Sequence, residues 1–516
     1  MAAMRLAVFD LGSTSFQLLV SEADTDGGLT PILRDRVMLN LGAEVAATGE
    51  VAPALLDRAI MVVRRFRDLA ERAAAGQVIP VATAAFREAA NRPELVRALE
   101  AAIGEQVRIL SGDREARATV AGVRASVALP DEPWVALDLG GGSLEVAVVE
   151  SGSVRWTDTF PLGAARVARM MVAGDPMTRG ERREIRRAVR DLLEPALADA
   201  DVPRAPLCVA AGGTAGALAR LLAAERWPSP PSSLNQFELR IDDLNDLARA
   251  LGAADLETRL QMPAIDERRV DLLPSGAVVL AAALQVLGAG SAVHSEWGLR
   301  EGVILQELGF EAPASPAELR RRSVARLATQ WGVGGPHIEW VRKHALWLFQ
   351  HTRELHGLSD VERELLEQTS TIHDIGTRIS PDKHHRHGAY LVEHGGLRGF
   401  TPVEVATMAS MVRFHRGNGP KPSYPPYAGL TEDERLVCRV LTGILRIAHG
   451  LGRGGESDVV ESRVEVRRKE LVISVAGASN PEGAVAEAEE RADVLAKALG
   501  TKIRFEIVPL GSLALP

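Results

Sequence analysis

Residues 134–150 read WVALDLGGGSLEVAVVE, and the rest of the chain is organised around them. An apolar run from Trp134 to Leu137 ends in Asp138. Gly140, Gly141, Gly142 and Ser143 follow, and apolar alternation resumes at Val146 and Val148 just after Glu145. This spacing predicts strand, tight turn, strand. Successive glycines let a backbone bend with positive φ and come close to a ligand. Their N–H groups make an anion-binding nest, to which Ser143 adds a hydroxyl. Asp138 and Glu145 flank the turn as hard oxygen ligands of the kind Mg²⁺ prefers. Phosphate donors and metal carboxylates on one hairpin point to phosphoryl chemistry. The competing reading is a plain hairpin with no ligand.

The chain carries the pattern twice. Residues 5–20 read RLAVFDLGSTSFQLLV. Asp10-Leu11-Gly12-Ser13-Thr14-Ser15 aligns with Asp138-Leu139-Gly140-Gly141-Gly142-Ser143. Both are D-L-G, two small residues and Ser, between apolar runs. The repeat predicts a duplicated fold whose two hairpins face one cleft and hold a phosphoryl group from both sides. Gly12, Ser13, Thr14 and Ser15 are then phosphate-binding candidates alongside the glycine triplet and Ser143. Asp10 joins Asp138 and Glu145 as a candidate metal ligand.

The 516 residues allow three or four domains, and 46% hydrophobic with 25% charged residues is ordinary for a globular chain. A net charge of −8 gives no global attraction to a polyanion, so local basic patches decide anion binding. Cys208 and Cys438 form no metal or redox motif, which fits a reducing compartment. Asp10 interrupts the N-terminal apolar stretch, so no secretory signal is expected. The apolar run 276–290 is too short for a bilayer. A cytoplasmic protein with no membrane or nucleic-acid partner is expected.

Four domains are expected: residues 1–128, 129–305, 306–455 and 456–516. In the first, 54–75 has the period of a helix with one buried face. The strand at Gln77–Val81 runs into a helix opened by small residues, which carries Arg87 and Asn91. Arg87 reads as a solvated helix charge or as a guanidinium fork on phosphate oxygens. Ser111 is a plausible N-cap, and Glu115 follows in that helix's first turn. Glu115 is either a carboxylate favoured by the helix dipole or a general base beside the phosphate cleft. In the second domain, 182–190 reads as a solvated basic helix face. The strand Leu207–Ala211 leads to Gly212-Gly213-Thr214, a helix start free for an anion. Residues 295–302 precede the closing helix of this second lobe.

The strings DLGSTSFQL (10–18), ATAAFREAAN (82–91), LSGDREARATVAGV (110–123), ALDLGGGSLEVAVVE (136–150), FPLGAARV (160–167), AAGGTAGAL (210–218), RRVDLLPSGA (268–277) and WGLREGVI (297–304) occur in this order. Together they resemble the exopolyphosphatase / guanosine pentaphosphate phosphohydrolase family over roughly the first 305 residues. The resemblance implies an α/β fold of two ribonuclease-H-like lobes, as in actin, sugar kinases and heat-shock ATPases. It implies hydrolysis of terminal phosphate from inorganic polyphosphate, guanosine pentaphosphate (the stringent-response alarmone) or both, with Mg²⁺ or Mn²⁺, and a homodimer. It puts the catalytic base on Glu115, metal or phosphate contacts on Asp138, the following glycines, Ser143 and Glu145, and a functional role on Arg87. Thr14 stands where the family usually has asparagine, Gln17 where it often has arginine, and Asp113-Arg114 replaces a more acidic pair.

Beyond residue 305, histidines and helical periodicity dominate. Ile338, Val341, Ala345, Leu348, Phe349 and Thr352 trace one helix face. The stretch resembles the all-α HD-type metal-dependent phosphohydrolase domain of longer family members. In that pattern His337, His373 and Asp374 match metal ligands. The late aspartate is replaced by His449, which can still bind a divalent metal and completes a possible second metal site, but a carboxylate bridge between two ions is expected to be lost. The domain is therefore read as structural, its Arg and His residues lining a path for a long polyanion. Residues 456–516 read strand, strand, helix, strand, with Lys469-Glu470 as the turn. This small α+β module shows no visible chemistry and is a candidate for dimer contacts. The expected function is exopolyphosphatase. The alternatives are a guanosine pentaphosphate phosphatase, an actin-like kinase or ATPase, and a silent sensor of polyphosphate, guanosine pentaphosphate or guanosine tetraphosphate.

Overall fold

The two D-L-G hairpins occupy the same place in two sheets of the same order. The computed structural model describes residues 4–24, 28–200, 202, 206–310, 312–313, 315–452, 461–467, 470–477 and 481–512. The first sheet holds β1 (Met4–Leu11), β2 (Ser15–Ala23), β3 (Leu29–Met38), β4 (Gln77–Ala82) and β5 (Arg108–Ile109), in the order β3-β2-β1-β4-β5. The second holds β6 (Trp134–Leu139), β7 (Leu144–Glu150), β8 (Ser153–Phe160), β9 (Leu207–Ala211), β10 (Glu238–Arg240) and β11 (Ser291–His294). Its order, β10-β11-β9-β6-β7-β8, read from the far edge repeats the first sheet strand for strand, with β10 added. In both, the first two pairings are antiparallel and the next two parallel.

Register makes the hairpins equivalent residue by residue. Asp10 lies opposite Gln17 and Leu11 opposite Phe16, while Asp138 lies opposite Glu145 and Leu139 opposite Leu144. The strand interiors are apolar on both faces, as sheets covered by helices require. Phe9 meets Phe66 of the helix Pro53–Arg72 edge to face at 5.7 Å. The helix Leu273–Leu287 is apolar nearly all round because it is buried nearly all round in the second lobe.

Helices Gly112–Arg124 and Leu299–Glu307 cross at van der Waals contact through glycine. A Cβ on Gly302 would lie 1.7 Å from the Ala118 carbonyl oxygen, and one on Gly122 2.3 Å from that of Gly298. The second of these helices closes the first lobe rather than the second. Trp297, Val303, Ile304 and Leu305 pack with Leu6, Val8, Leu19 and Ile79 of the first sheet. The chain thus returns to its starting lobe, which a linear reading of domains does not anticipate.

The chain divides into two compact units. One is Met1–Glu225 with Leu234–Leu319, and the other is Arg226–Ser233 with Arg320–Pro516. The second unit is helical, with a small sheet of β12 (Glu461–Arg467), β13 (Glu470–Ala476) and β14 (Lys502–Ile507). One core joins helices and sheet: Ile444, Ile447 and Leu451 pack with Leu471, Ile473 and Leu495. The expected single helix over 481–499 is two, Pro481–Glu489 and Asp493–Leu499, with Arg491 in the break between them. The expected turn residue Lys469 and the 455/456 boundary lie outside the described residues. Arg182, expected on a solvated face, is buried and donates to the Met177 carbonyl at 3.0 Å. Among the described residues, no helix is long and apolar enough to cross a membrane.

Candidate active site

The two hairpin tips touch. A Cβ on Gly141 would lie 1.6 Å from Thr14 Oγ1, and one on Gly142 2.7 Å from Ser13 Oγ. Only glycine lets the second tip come this close to the first. Ser13 Oγ accepts from the Ala85 amide at 3.1 Å, which ties the first tip to the helix Ala84–Glu88 carrying Arg87. Thr14 Oγ1 is buried without a hydrogen-bond partner in the structure. This leaves a hydroxyl donor unused between the two tips. Ser15 is buried at the start of β2, and the Gly12 Cβ position is filled by the Ser15 carbonyl at 2.9 Å.

The second tip is held from behind. The Ala164 amide donates to the Gly140 carbonyl at 3.0 Å, and the Ala165 and Arg166 amides to that of Gly141 at 3.0 Å each. Ser143 Oγ donates to Glu145 Oε1 at 2.6 Å and Thr119 Oγ1 to Asp138 Oδ2 at 2.9 Å. Gly212 has φ of 90°, and a Cβ there would stand 2.6 Å from Asp138 Oδ1, so the third glycine corner backs onto the same carboxylate. Gly213 lies under Arg269, whose Nη2 is 1.9 Å from where its Cβ would be. Thr214 instead turns its methyl toward Gly276.

Glu115 sits in the first turn of its helix, capped by Ser111 Oγ, which accepts from the Arg114 amide at 3.3 Å. It is not solvated. Its Oε2 accepts from Arg87 Nη1 at 2.7 Å, and Arg87 Nη2 lies 3.9 Å from Glu145 Oε1. Arg87 also donates to the Leu110 carbonyl at 2.9 Å, so the solvated-charge reading of this arginine does not describe it. Asn91 in the same segment is structural, with both amide atoms bonded to the Val51 backbone.

Burial pushes the Glu115 carboxyl up to about 7 against the opposing pull of Arg87, with Asp138 and Asp10 adding repulsion. Burial raises Asp10 to about 6, with Arg300 opposing and Asp138 reinforcing. Asp138 is raised by burial, and Glu145 is raised well above the usual range by burial and by Glu115. Three buried carboxylates, Asp10, Glu115 and Glu145, and the half-buried Asp138 crowd one cleft and oppose one another's ionisation. Among the described residues, Asp10, Asp138 and Glu145 are not one of the sets of three ligand atoms within 4.8 Å of one another. A divalent ion here would be held by one or two carboxylates, with water and substrate phosphates completing it, which is the usual manner of Mg²⁺.

Three arginines of this cleft escaped the sequence reading. Arg300 acts on Asp10 and Asp138, and Arg36 and Arg269 crowd with Arg300. Burial and these neighbours lower Arg36 to about 10, with Asp266, which also pairs with Arg269 at 2.9 Å, opposing. Arg269 and Arg300 lie inside RRVDLLPSGA and WGLREGVI, where nothing local pairs them with the acidic residues of the tips. Gln17, a departure from the family pattern, donates to Asp10 at 3.4 Å.

In the second unit, His337, His373, Asp374 and His449 bring ligand atoms within 4.8 Å of one another, and so do Asp374, His384 and His415. His384 and His415 are not in the ligand set that the family resemblance implies.

This cleft, flanked by two sheets of like order, defines a two-lobed α/β protein of the phosphatase class. The sequence model described as Ppx/GppA phosphatase family matches residues 19–311, and that described as Ppx/GppA phosphatase, domain III, matches 319–480. The chain belongs to the Ppx/GppA phosphatase family. Exopolyphosphatase 1 of Mycobacterium leprae is 29% identical over 314 residues, 60% of this chain and 91% of that one. A protein of Aeromonas hydrophila named guanosine-5'-triphosphate,3'-diphosphate pyrophosphatase is 26% identical over 411 residues, 79% of each chain. The Aquifex aeolicus family member of known structure is 26% identical with a TM-score of 0.51, covering 59% of this chain and 97% of that one.

Proposed function

We propose that this chain is an exopolyphosphatase, which removes the terminal phosphate of inorganic polyphosphate with Mg²⁺. The observation that carries the reading is a buried Glu115, bonded to Arg87, in one cleft with two facing glycine-rich tips. The family membership and two relatives named for cleavage of phosphoric anhydrides support the reaction class.

The tips, with Ser13, Thr14 and the Gly141–Gly142 backbone, bind the terminal phosphate. Glu115 takes a proton from water as the water oxygen bonds to the terminal phosphorus. The bond from that phosphorus to the bridging oxygen breaks, and its electron pair stays on the shortened chain. Arg87 orients Glu115 and favours its ionised form. Asp138, Asp10 and Glu145 are the residues that would hold Mg²⁺, which supplies positive charge against the phosphate oxygens. A cleft of about 830 Å³ adjoins the tips. Its walls include Asn40 and Ala165, bonded to the Thr14 and Gly141 carbonyls, and the exposed Arg58 and Arg169. These arginines suit the remainder of a polyanionic chain.

Guanosine pentaphosphate is the second reading, because the Aeromonas relative aligns past the first unit into the helical one. Phosphate release measured side by side on long polyphosphate and guanosine pentaphosphate tests both. Preference for polyphosphate is expected, and release from guanosine pentaphosphate alone would reverse the assignment. We also read the helical unit as an HD-type domain, on its His373-Asp374 pair at a helix end.

A further inference from the structure

Four imidazoles of the second unit aim at one carboxylate. His337 and His373 Nε2 each lie 3.5 Å from Asp374 Oδ2, while His384 and His415 Nε2 lie 3.3 and 3.4 Å from Asp374 Oδ1. They come from the helices Pro336–His351 and His384–His394 and from the C-terminal ends of Asp360–Ile372 and Pro402–Phe414. In every case the other ring nitrogen faces a backbone carbonyl. His337 Nδ1 faces that of Gly452 at 3.1 Å, His373 that of Ser370 at 2.7 Å, His384 that of Pro381 at 3.0 Å and His415 that of Val412 at 2.8 Å.

A carbonyl only accepts, so each Nδ1 carries a proton, and Nε2 is the nitrogen each ring turns to the carboxylate and can offer to a cation. His373 Nε2, His384 Nε2, His415 Nε2 and Asp374 Oδ1 are buried with no hydrogen-bond partner in the structure. Four ring nitrogens turned to one carboxylate in a buried pocket, three of them and a carboxylate oxygen without a partner, are costly unless positive charge lies between them. Backbone carbonyls fixing the outer nitrogen are also the usual support of metal-bound histidine.

His449 differs. Its Nδ1 lies 2.8 Å from Arg491 Nη1. A guanidinium only donates, so His449 Nδ1 accepts and the proton sits on Nε2. The ring lies 5.0–5.5 Å from those of His415, His373 and His337. It therefore presents a donor to the pocket instead of a metal-binding lone pair.

We propose that the second unit holds two divalent ions of the first transition row, bridged by Asp374. One ion is bound by His337 and His373, and the other by His384 and His415, with His449 donating a hydrogen bond to whatever completes them. Imidazole-rich donor sets select such ions over Mg²⁺. Asp374 itself spans the two positions, so the bridge does not depend on the missing late aspartate. Two ions sharing a carboxylate, open on their remaining positions, suit a phosphate oxygen as outer ligand. Arg386 and Arg416 lie within electrostatic reach of His385 and His384 and favour an anion there.

The test is Co²⁺ titration of the chelator-stripped full chain in excess Mg²⁺, read by visible absorption and by metal retained after desalting. Two ions per chain are expected for the parent, none for Asp374→Ala and one each for His337→Gln and His384→Gln. His449→Ala and, in the other unit, Asp138→Asn should each retain two. Circular dichroism of each variant establishes that loss of metal is not loss of fold. The proposal fails if the folded parent retains no Co²⁺, if folded Asp374→Ala retains as much as the parent, or if His449→Ala loses an ion.

Discussion

Arg87 and Glu115 meet at 2.7 Å although they come from different helices, 28 residues apart in sequence. The contact joins the strand-to-helix corner after β4 to the one after β5, and it gives the buried carboxylate its one close cation. A charge-assisted hydrogen bond is worth about 1.5–3 kcal/mol. If it serves to hold the base in place, Arg87→Ala should lower turnover by about 10–100-fold, at about 1.4 kcal/mol per decade. KM for polyphosphate should change less than turnover. A KM effect alone, with turnover at the parental rate, would place Arg87 on substrate and not on the base.

Gly163 tests how the second tip is held. A Cβ there would lie 2.3 Å from both Gly142 C and Ser143 N, and 2.4 Å from Gly141 C. These are backbone atoms and cannot rotate away. Gly163→Ala should cost about 1–3 kcal/mol by overpacking and displace the glycine tip. Gly141→Ala meets one side chain, the Thr14 hydroxyl, which can rotate, and its Cβ at 2.8 Å, which must shift; it meets no backbone atom closer than 3.5 Å and should cost less stability while still blocking phosphate. Chemical denaturation and phosphate release on both variants distinguish the two effects. Equal stability loss would mean the two tips are rigid to the same degree.

The hairpins were legible because D-L-G-x-x-S repeats locally, and a local repeat needs no knowledge of tertiary contact. Their facing could be expected from duplication, but Thr14 lying where a Gly141 side chain would be is visible only in three dimensions. Arg36, Arg269 and Arg300 were not legible for the same reason. Each sits on a different element, and only the return of the chain to the first lobe brings Arg300 near Asp10. In the second unit the His373-Asp374 pair stood out as neighbours in sequence. His384 and His415 did not, because their meaning lies in Nε2 pointing at Asp374. The proton position on His449 depends on Arg491, in a segment where no chemistry was expected.

The two units have their own cores, which predicts that their sites act separately. His373→Ala and Asp374→Ala should leave phosphate release from polyphosphate within a fewfold of the parent. A collapse of turnover in a folded variant would show that the helical site serves the cleft. Removing residues from about 312 onward should weaken use of long polyphosphate more than of short chains, because Arg378, Lys383, Arg386, Arg398, Arg413 and Arg416, with the histidines between them, go with it. This deletion also uncovers Trp227, against whose ring Gly429 packs, so solubility must be checked alongside. Equal losses on long and short chains would argue against a role in holding the chain.

Glu115 itself gives the sharpest test, because its two readings differ in sign as well as size. A first-turn carboxylate that favours the helix dipole stabilises by about 0.3–1 kcal/mol when ionised. Buried as it is, Glu115 has its pKa raised from 4.5 to about 7, so ionising it opposes the fold. A folded value above the unfolded one means that its contribution to stability is fully present below about 4.5 and is lost as pH rises through about 7. Glu115→Gln removes that titration. The variant should therefore gain stability relative to the parent between pH 5 and pH 8 in Mg²⁺-free buffer, a change of a few degrees in melting temperature. The dipole reading predicts the opposite: a variant that melts lower at both values. Catalysis separates the readings again. A base must be ionised to accept the proton, so parental activity should rise with pH through about 7, and the limb should move upward in Arg87→Gln, where the cation favouring ionisation is gone. Glu115→Gln should fall by about a hundredfold or more, the range for loss of a general base, and lose the limb altogether. Turnover and melting temperature of parent and variant across pH 5–8 settle the matter: a variant that turns over at the parental rate would place the base elsewhere.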